Sequence, residues 1–139
     1  MKHNLILRLI AKFLFPVIAL FAFYVQFHGD YGPGGGFQAG VILSVAFIFY
    51  ALVYGLKTTE EILPPHVLRL LASSGVLIYA GTGVVSLLMG ENFLDYDPLS
   101  SEPAAGQHLG ILVIELGVGI TVSSVMLMIF YAFAGRGQP

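Results

Sequence analysis

Four long apolar runs constrain this chain more than any other feature. They extend from about Leu5 to Phe27, Phe37 to Leu56, Val67 to Leu88 and Leu109 to Phe133. Each holds roughly 20 residues or more, and about 20 helical residues at ~1.5 Å rise cross a hydrocarbon core ~30 Å thick. In lipid the backbone of such a run must satisfy its own polar groups, which makes it a helix. The expected fold is therefore an all-α integral membrane protein with four transmembrane helices, in one domain spanning residues 1–139. Composition points the same way. The chain is 57% hydrophobic and 10% charged, whereas a soluble domain carries about 25% charged residues. A water-soluble fold would lack the polar surface to cover itself.

The first run carries Arg8 and Lys12 on one face, four residues apart, so their stems can lie along the helix while the charges reach the headgroups. Pro16 lies inside it and should loosen one turn. A basic start before an apolar stretch also fits a signal peptide. However, Phe13 to Phe27 ends without a small-residue cleavage site and leads into His28 and Gly29, so it reads as a retained helix. Lys57 to His66 reads as a short link, with Pro64-Pro65 resetting the chain before the third helix. Gly90 to Gln107 has no apolar periodicity and reads as a surface loop.

Charge sets the expected orientation. Lys2, Arg8, Lys12, Lys57, Arg69 and Arg136 are all six basic residues, and with four spans they fall on one side. That side is cytoplasmic by the positive-inside rule, which places both termini there. Asp30, Glu91, Asp95, Asp97 and Glu102 collect on the other side, where they attract cations or simply keep the outer loops solvated.

Small residues recur at helical spacing. The third run shows Ala72, Gly75, Tyr79, Gly83 and Ser86 on one face, and the second shows Gly40, Ser44, Phe47, Ala51 and Gly55. In a bilayer, close approach of small residues drives helix association, so these faces should pack within the chain or against neighbours. Four helices make a thin bundle, which suggests a multi-subunit complex.

Glu115 is the most informative single residue. It stands in Ile111-Leu112-Val113-Ile114-Glu115-Leu116-Gly117, with apolar neighbours on both sides. If its helix starts near Leu109, it lies about 9 Å inside the outer end. A carboxylate there must be paired, hydrated or neutralised by a proton. Such a group suits a proton or cation path; it also suits a hydrogen-bonded joint between helices. His108 precedes it by two turns on the same face, about 10 Å away along the axis. The two can mark a polar track from the surface, or His108 can be an ordinary interfacial histidine. His28, Asp30, His108 and Glu91 share the outer side without the paired spacing of a metal site. Gly34-x-Gly36-x-x-Ala39 matches a dinucleotide fingerprint only superficially, because no βαβ unit surrounds it. The chain has no cysteine, and no nucleophile triad, basic nucleic-acid patch or cofactor motif is evident.

Between the first two spans runs Gly29-Asp30-Tyr31-Gly32-Pro33-Gly34-Gly35-Gly36-Phe37-Gln38-Ala39-Gly40. This string resembles the signature of the MnhB/MrpB family, a small component of the multisubunit Mrp-type (Mnh) Na+/H+ antiporter. Ile114-Glu115-Leu116-Gly117-Val118 and the four-helix layout are similar to that family too, over nearly the whole chain. The Pro33-Gly34-Gly35-Gly36-Phe37 core carries the most specificity, with Gln38 and Gly40 completing the motif. Asp30 departs from many relatives, which have histidine there. The resemblance implies a non-enzymatic small subunit of a secondary antiporter in a bacterial or archaeal cytoplasmic membrane. Its partners would be lipid and the other membrane subunits, with Na+ or H+ as transported ions. Glu115, His108, His28 and Asp30 would be the ion-path candidates, and the glycine stretch would shape the outer entrance. The family is related to the membrane arms of complex I and membrane-bound hydrogenases. The other reading is thus a structural subunit of such a complex, with no ion path of its own.

Overall fold

The computed structural model of the chain describes residues 5–29 and 34–137. It consists of α1 (Leu5–His28), α2 (Gly36–Tyr54), a short α3 (Leu56–Ile62), α4 (Pro65–Leu88) and α5 (Pro103–Ala134). Single 3-10 turns cover Asp97–Leu99 and Gly135–Gly137, and no strand occurs among the described residues. The four long helices are each apolar and long enough to cross a membrane, as expected. Helix α1 continues through Pro16 without interruption.

The long helices stand in a row, in the order α1, α2, α5, α4. Helix α1 packs on α2, α2 on α5, and α5 on α4, with only a marginal contact between α1 and α5. A row buries little. Of the α1 span only 11% is buried within the chain, against 33% for α2. Leu5, Phe13 and Leu20 are each more than two-thirds exposed. With hydrocarbon as the solvent these side chains carry no penalty.

The contacts follow residue size. Phe15 of α1 meets Phe47 and Tyr50 of α2 edge-on, at ring separations of 5.2 and 5.7 Å. Tyr54 donates to the Arg8 carbonyl at 2.7 Å, and the Arg8 guanidinium lies over the Tyr54 ring. Between α2 and α5, Gly40 lies against Gly119 and Val122, and Ser44 and Ala51 are buried. Gly75 of α4 and Gly117 of α5 face each other so closely that a methyl on either would press on the other's carbonyl. The small-residue stripes therefore form the α2–α5 and α4–α5 seams, with two exceptions. Gly83 of α4 meets the Phe93 ring rather than α5. Gly55 packs on nothing; it sits at φ 103° in the turn between α2 and α3. Leu68, Leu127 and Tyr131 form the buried cluster, against Phe47, Leu56 and Leu63, and Tyr131 donates to the Leu63 carbonyl at 3.2 Å.

Two connections differ from the expected ones. The link after α2 is not a plain loop but holds α3, whose Thr59 is fully buried. Helix α5 begins at Pro103, six residues before the expected start at Leu109. Proline suits a first helical turn because it lacks the N–H that would go unpaired there. The remaining loop folds back onto the helices: the Phe93 ring fills the notch at Gly83 of α4, and the Tyr96 ring fills that at Gly110 of α5. Burial, with a smaller contribution from Tyr79, pushes the Tyr96 phenol above its usual range. Gln107 donates to Asp97 at 2.7 Å, which ties the loop to the first turns of α5.

Arg8, Lys12, Lys57, Arg69 and Arg136 thus gather where α1 and α4 begin and α2 and α5 end. Glu91, Asp95, Asp97 and Glu102 lie at the opposite, acidic end, together with the glycine-rich link.

Candidate functional site

The glycine-rich link and Glu115, far apart in the chain, meet at the acidic end. Helix α1 closes on Gly29. Gly35 then precedes α2 at φ 123°, ψ 177°, a conformation open essentially to glycine alone. Its N–H points back to the Val25 carbonyl at 3.4 Å, which brings Gly35 against the last turns of α1. Gly36 comes next and presses directly on α5: a Cβ there would run into the backbone carbonyl of Glu115. Only a hydrogen fits between the first turn of α2 and α5.

That approach creates a seat for the Glu115 side chain. A Cβ on Gly29 would lie 3.0 Å from both carboxylate oxygens, and one on Gly35 would lie 3.0 Å from Oε1. The half-buried carboxylate is therefore enclosed by bare backbone, from the residue that closes α1 and the residue that opens α2. The first N–H groups of α2 have no partner within their own helix and carry a partial positive charge, which favours an anion at this position.

The depth of Glu115 differs from expectation. Counted from the true start of α5 it lies twelve residues in, about 18 Å along the axis rather than 9 Å. Helix α2, with 19 residues, is about 28 Å long and just matches the hydrocarbon core. Glu115 lies level with the first turn of α2, against the backbone of Gly36. The 32-residue α5 extends about three turns past this level.

One and two turns further in on the same face of α5 lie Gly119 and Ser123. Gln26 of α1 fills the notch at Gly119, where an added Cβ would be 2.7 Å from its Oε1. Gln26 is only 5% exposed, and its Nε2 has no protein acceptor among the described residues. A buried amide donor without a partner costs about 1–3 kcal/mol. Gln26 lines a cavity of about 80 Å³ between α1, α2 and α5, together with Ala39, Leu43, Leu116 and Ser123. It was not among the residues singled out from the sequence. The available signal was an amide in the last turn of an apolar span, a place where polar groups are uncommon and tend to be functional.

The other expected residues are placed as follows. His28 is exposed at the end of α1 and stacks on Tyr24 at 5.0 Å. His108 is exposed on α5, two turns outward from Glu115. Phe37 and Gln38 are exposed on the first turn of α2, while Gly34, Gly35, Gly36 and Gly40 face the chain itself. Asp30 and Pro33 lie outside the described residues. Among the described residues no three His, Asp or Glu side chains are grouped so as to hold a metal ion.

Comparison with known proteins bears on the whole chain. Residues 6–128 match the family described as "Domain related to MnhB subunit of Na+/H+ antiporter". Proteins named "Putative antiporter subunit mnhB2" from Staphylococcus aureus strains Newman and COL are each 34% identical to it over 139 residues, covering 97% of this chain and 98% of theirs. A glycine-lined link seating an acidic residue of the last span, on a four-span frame matched from end to end, leaves one assignment: the chain belongs to the MnhB family.

Proposed function

We propose that this protein is a small membrane subunit of a multisubunit Na+/H+ antiporter, and that Glu115 lies on its cation or proton path. Family membership supports a transporter component rather than an enzyme. The observation that carries the residue-level reading is the seat of Glu115: a carboxylate held by the backbone of Gly29 and Gly35 beside the positive end of α2. A carboxylate at a membrane entrance can hold a proton or a sodium ion and release it as the local field changes. His108 and His28 flank that entrance on the acidic end, and Gly34, Gly35 and Gly36 shape it with bare backbone. Both termini are cytoplasmic by the basic residues at their end, which turns the entrance outward. The host membrane is a bacterial or archaeal cytoplasmic membrane.

The test is Glu115→Gln in the assembled complex, assayed as Na+-dependent proton movement in everted vesicles. The variant keeps the shape and one acceptor oxygen but cannot take up or give up charge. Exchange should fall by more than about tenfold, equivalent to ~1.4 kcal/mol on a barrier, while the complex still assembles. Unchanged exchange in an assembled complex would sink the path and leave Glu115 as a joint between α2 and α5.

A further inference from the structure

The geometry points to an internal water site beneath Glu115, built by Gln26 and Ser123 in the cavity between α1, α2 and α5. Three observations converge on it. Gln26 is 5% exposed and its Nε2 lacks a protein acceptor among the described residues. The cavity it lines measures about 80 Å³, room for about two waters at ~30 Å³ each. Ser123, on the same wall and 7% exposed, donates its hydroxyl hydrogen to the Ile120 carbonyl at 3.1 Å and keeps lone pairs to accept with.

Water is the ligand that fits this pair. Nε2 needs an acceptor and Ser123 Oγ needs a donor, and one water is both. It also satisfies the amide turned over, with the carbonyl oxygen facing the cavity. Neither an anion nor a bare cation meets both demands. The site continues the line of Glu115 along α5, since Glu115, Gly119 and Ser123 follow one another at four-residue intervals over about 12 Å of rise. Gly119 contributes by having no side chain: the Gln26 amide occupies that space, at the α5 position between Glu115 and Ser123.

The larger cavity between α4 and α5 shows that volume alone does not make such a site. It measures about 170 Å³ and is lined by Gly75, Val76, Tyr79, Gly117, Val118, Thr121 and Val122. The Thr121 hydroxyl already has its acceptor in the Gly117 carbonyl at 2.9 Å. Ser123 has committed its hydroxyl hydrogen in the same way, so what sets the two cavities apart is the buried Gln26 amide, which has no counterpart in the lining of this one.

X-ray hydroxyl-radical footprinting of the assembled complex in membranes tests the site, because radicals born in bound water label the side chains beside it. Leu43 and Leu116 should be labelled well above Leu77, which is 70% exposed on the lipid-facing side of α4, and Val118 should remain at that background. In Gln26→Leu the labelling of Leu43 and Leu116 should fall to background. Wild-type Leu43 and Leu116 labelled no more than Leu77 would overturn the proposal and mean that lipid or a partner side chain fills the cavity. Labelling that persists in Gln26→Leu would equally remove Gln26 as the holder. Should Gln26→Leu fail to assemble, the wild-type comparison alone decides. No step of the measurement uses transport, so its outcome is separable from that of Glu115→Gln.

Discussion

On one side, α5 presents Glu115, Gly119 and Ser123 to α1 and α2; on the other, it presents Gly117 and Thr121 to α4. Both sides use small residues four apart to bring backbones together, and both leave a cavity. They differ in what the polar groups do. Facing α4, the Thr121 hydroxyl is bonded to the Gly117 carbonyl, with the Ala72 carbonyl at 3.4 Å. Facing α1 and α2, a carboxylate is seated on bare backbone and the buried Gln26 amide lacks a protein acceptor among the described residues. The same packing device serves adhesion on one side and an accessible polar line on the other. Satisfied polar groups hold helices together, and an unsatisfied amide calls for a ligand.

This contrast can be broken by substitution. The largest effect is expected at Gly36→Ala, whose methyl would run into the Glu115 backbone. Overpacking of this kind costs about 1–3 kcal/mol, and displacing Glu115 should also abolish exchange in whatever complex assembles. Gly75→Ala meets Thr121 and the Gly117 carbonyl just as closely and should cost a similar ~1–3 kcal/mol. Its penalty should appear only as a lower melting temperature of the detergent-solubilised complex, with exchange per assembled complex unchanged. If Gly75→Ala impairs exchange as much as Gly36→Ala, the two sides are not functionally distinct. Thr121→Val keeps volume and removes a hydroxyl bonded mainly within α5, with only a 3.4 Å contact across to the Ala72 carbonyl, a loss of about 0.6 kcal/mol or less in a bilayer that the same melting measurement would register. The smallest loss belongs to Gly81→Ala on α4. Nothing lies within 4 Å of the added methyl, and the gain in helix propensity of about 0.5–1 kcal/mol should leave the complex equal or slightly more stable.

Much of this arrangement was legible in the residues. The four spans follow from apolar length, and the faces that pack from the small residues at helical spacing, without the partner each face meets. Glu115 stands out because a carboxylate inside an apolar run demands a partner. What resisted reading has physical causes. Helix α3 is seven residues long, too short for periodicity to register. The early start of α5 was marked only by Pro103, in a segment whose Ala, Gly and Gln residues carry no apolar face. The order α1, α2, α5, α4 was hidden because every long helix has a face small enough to pair with several others. Gln26 was passed over as part of a long apolar stretch. Its role depends on Gly119, more than ninety positions away, having no side chain.

A single file of helices has very little inside. In a closed bundle an ion can be enclosed by one chain, but this fold consists mostly of two outer surfaces, and Glu115 is only partly buried beside one of them. Any conduit along that surface is a half-pipe until another molecule supplies the opposite bank. Conduction through this chain would thus be a property of a seam between subunits, created at the moment of assembly and lost when the complex comes apart.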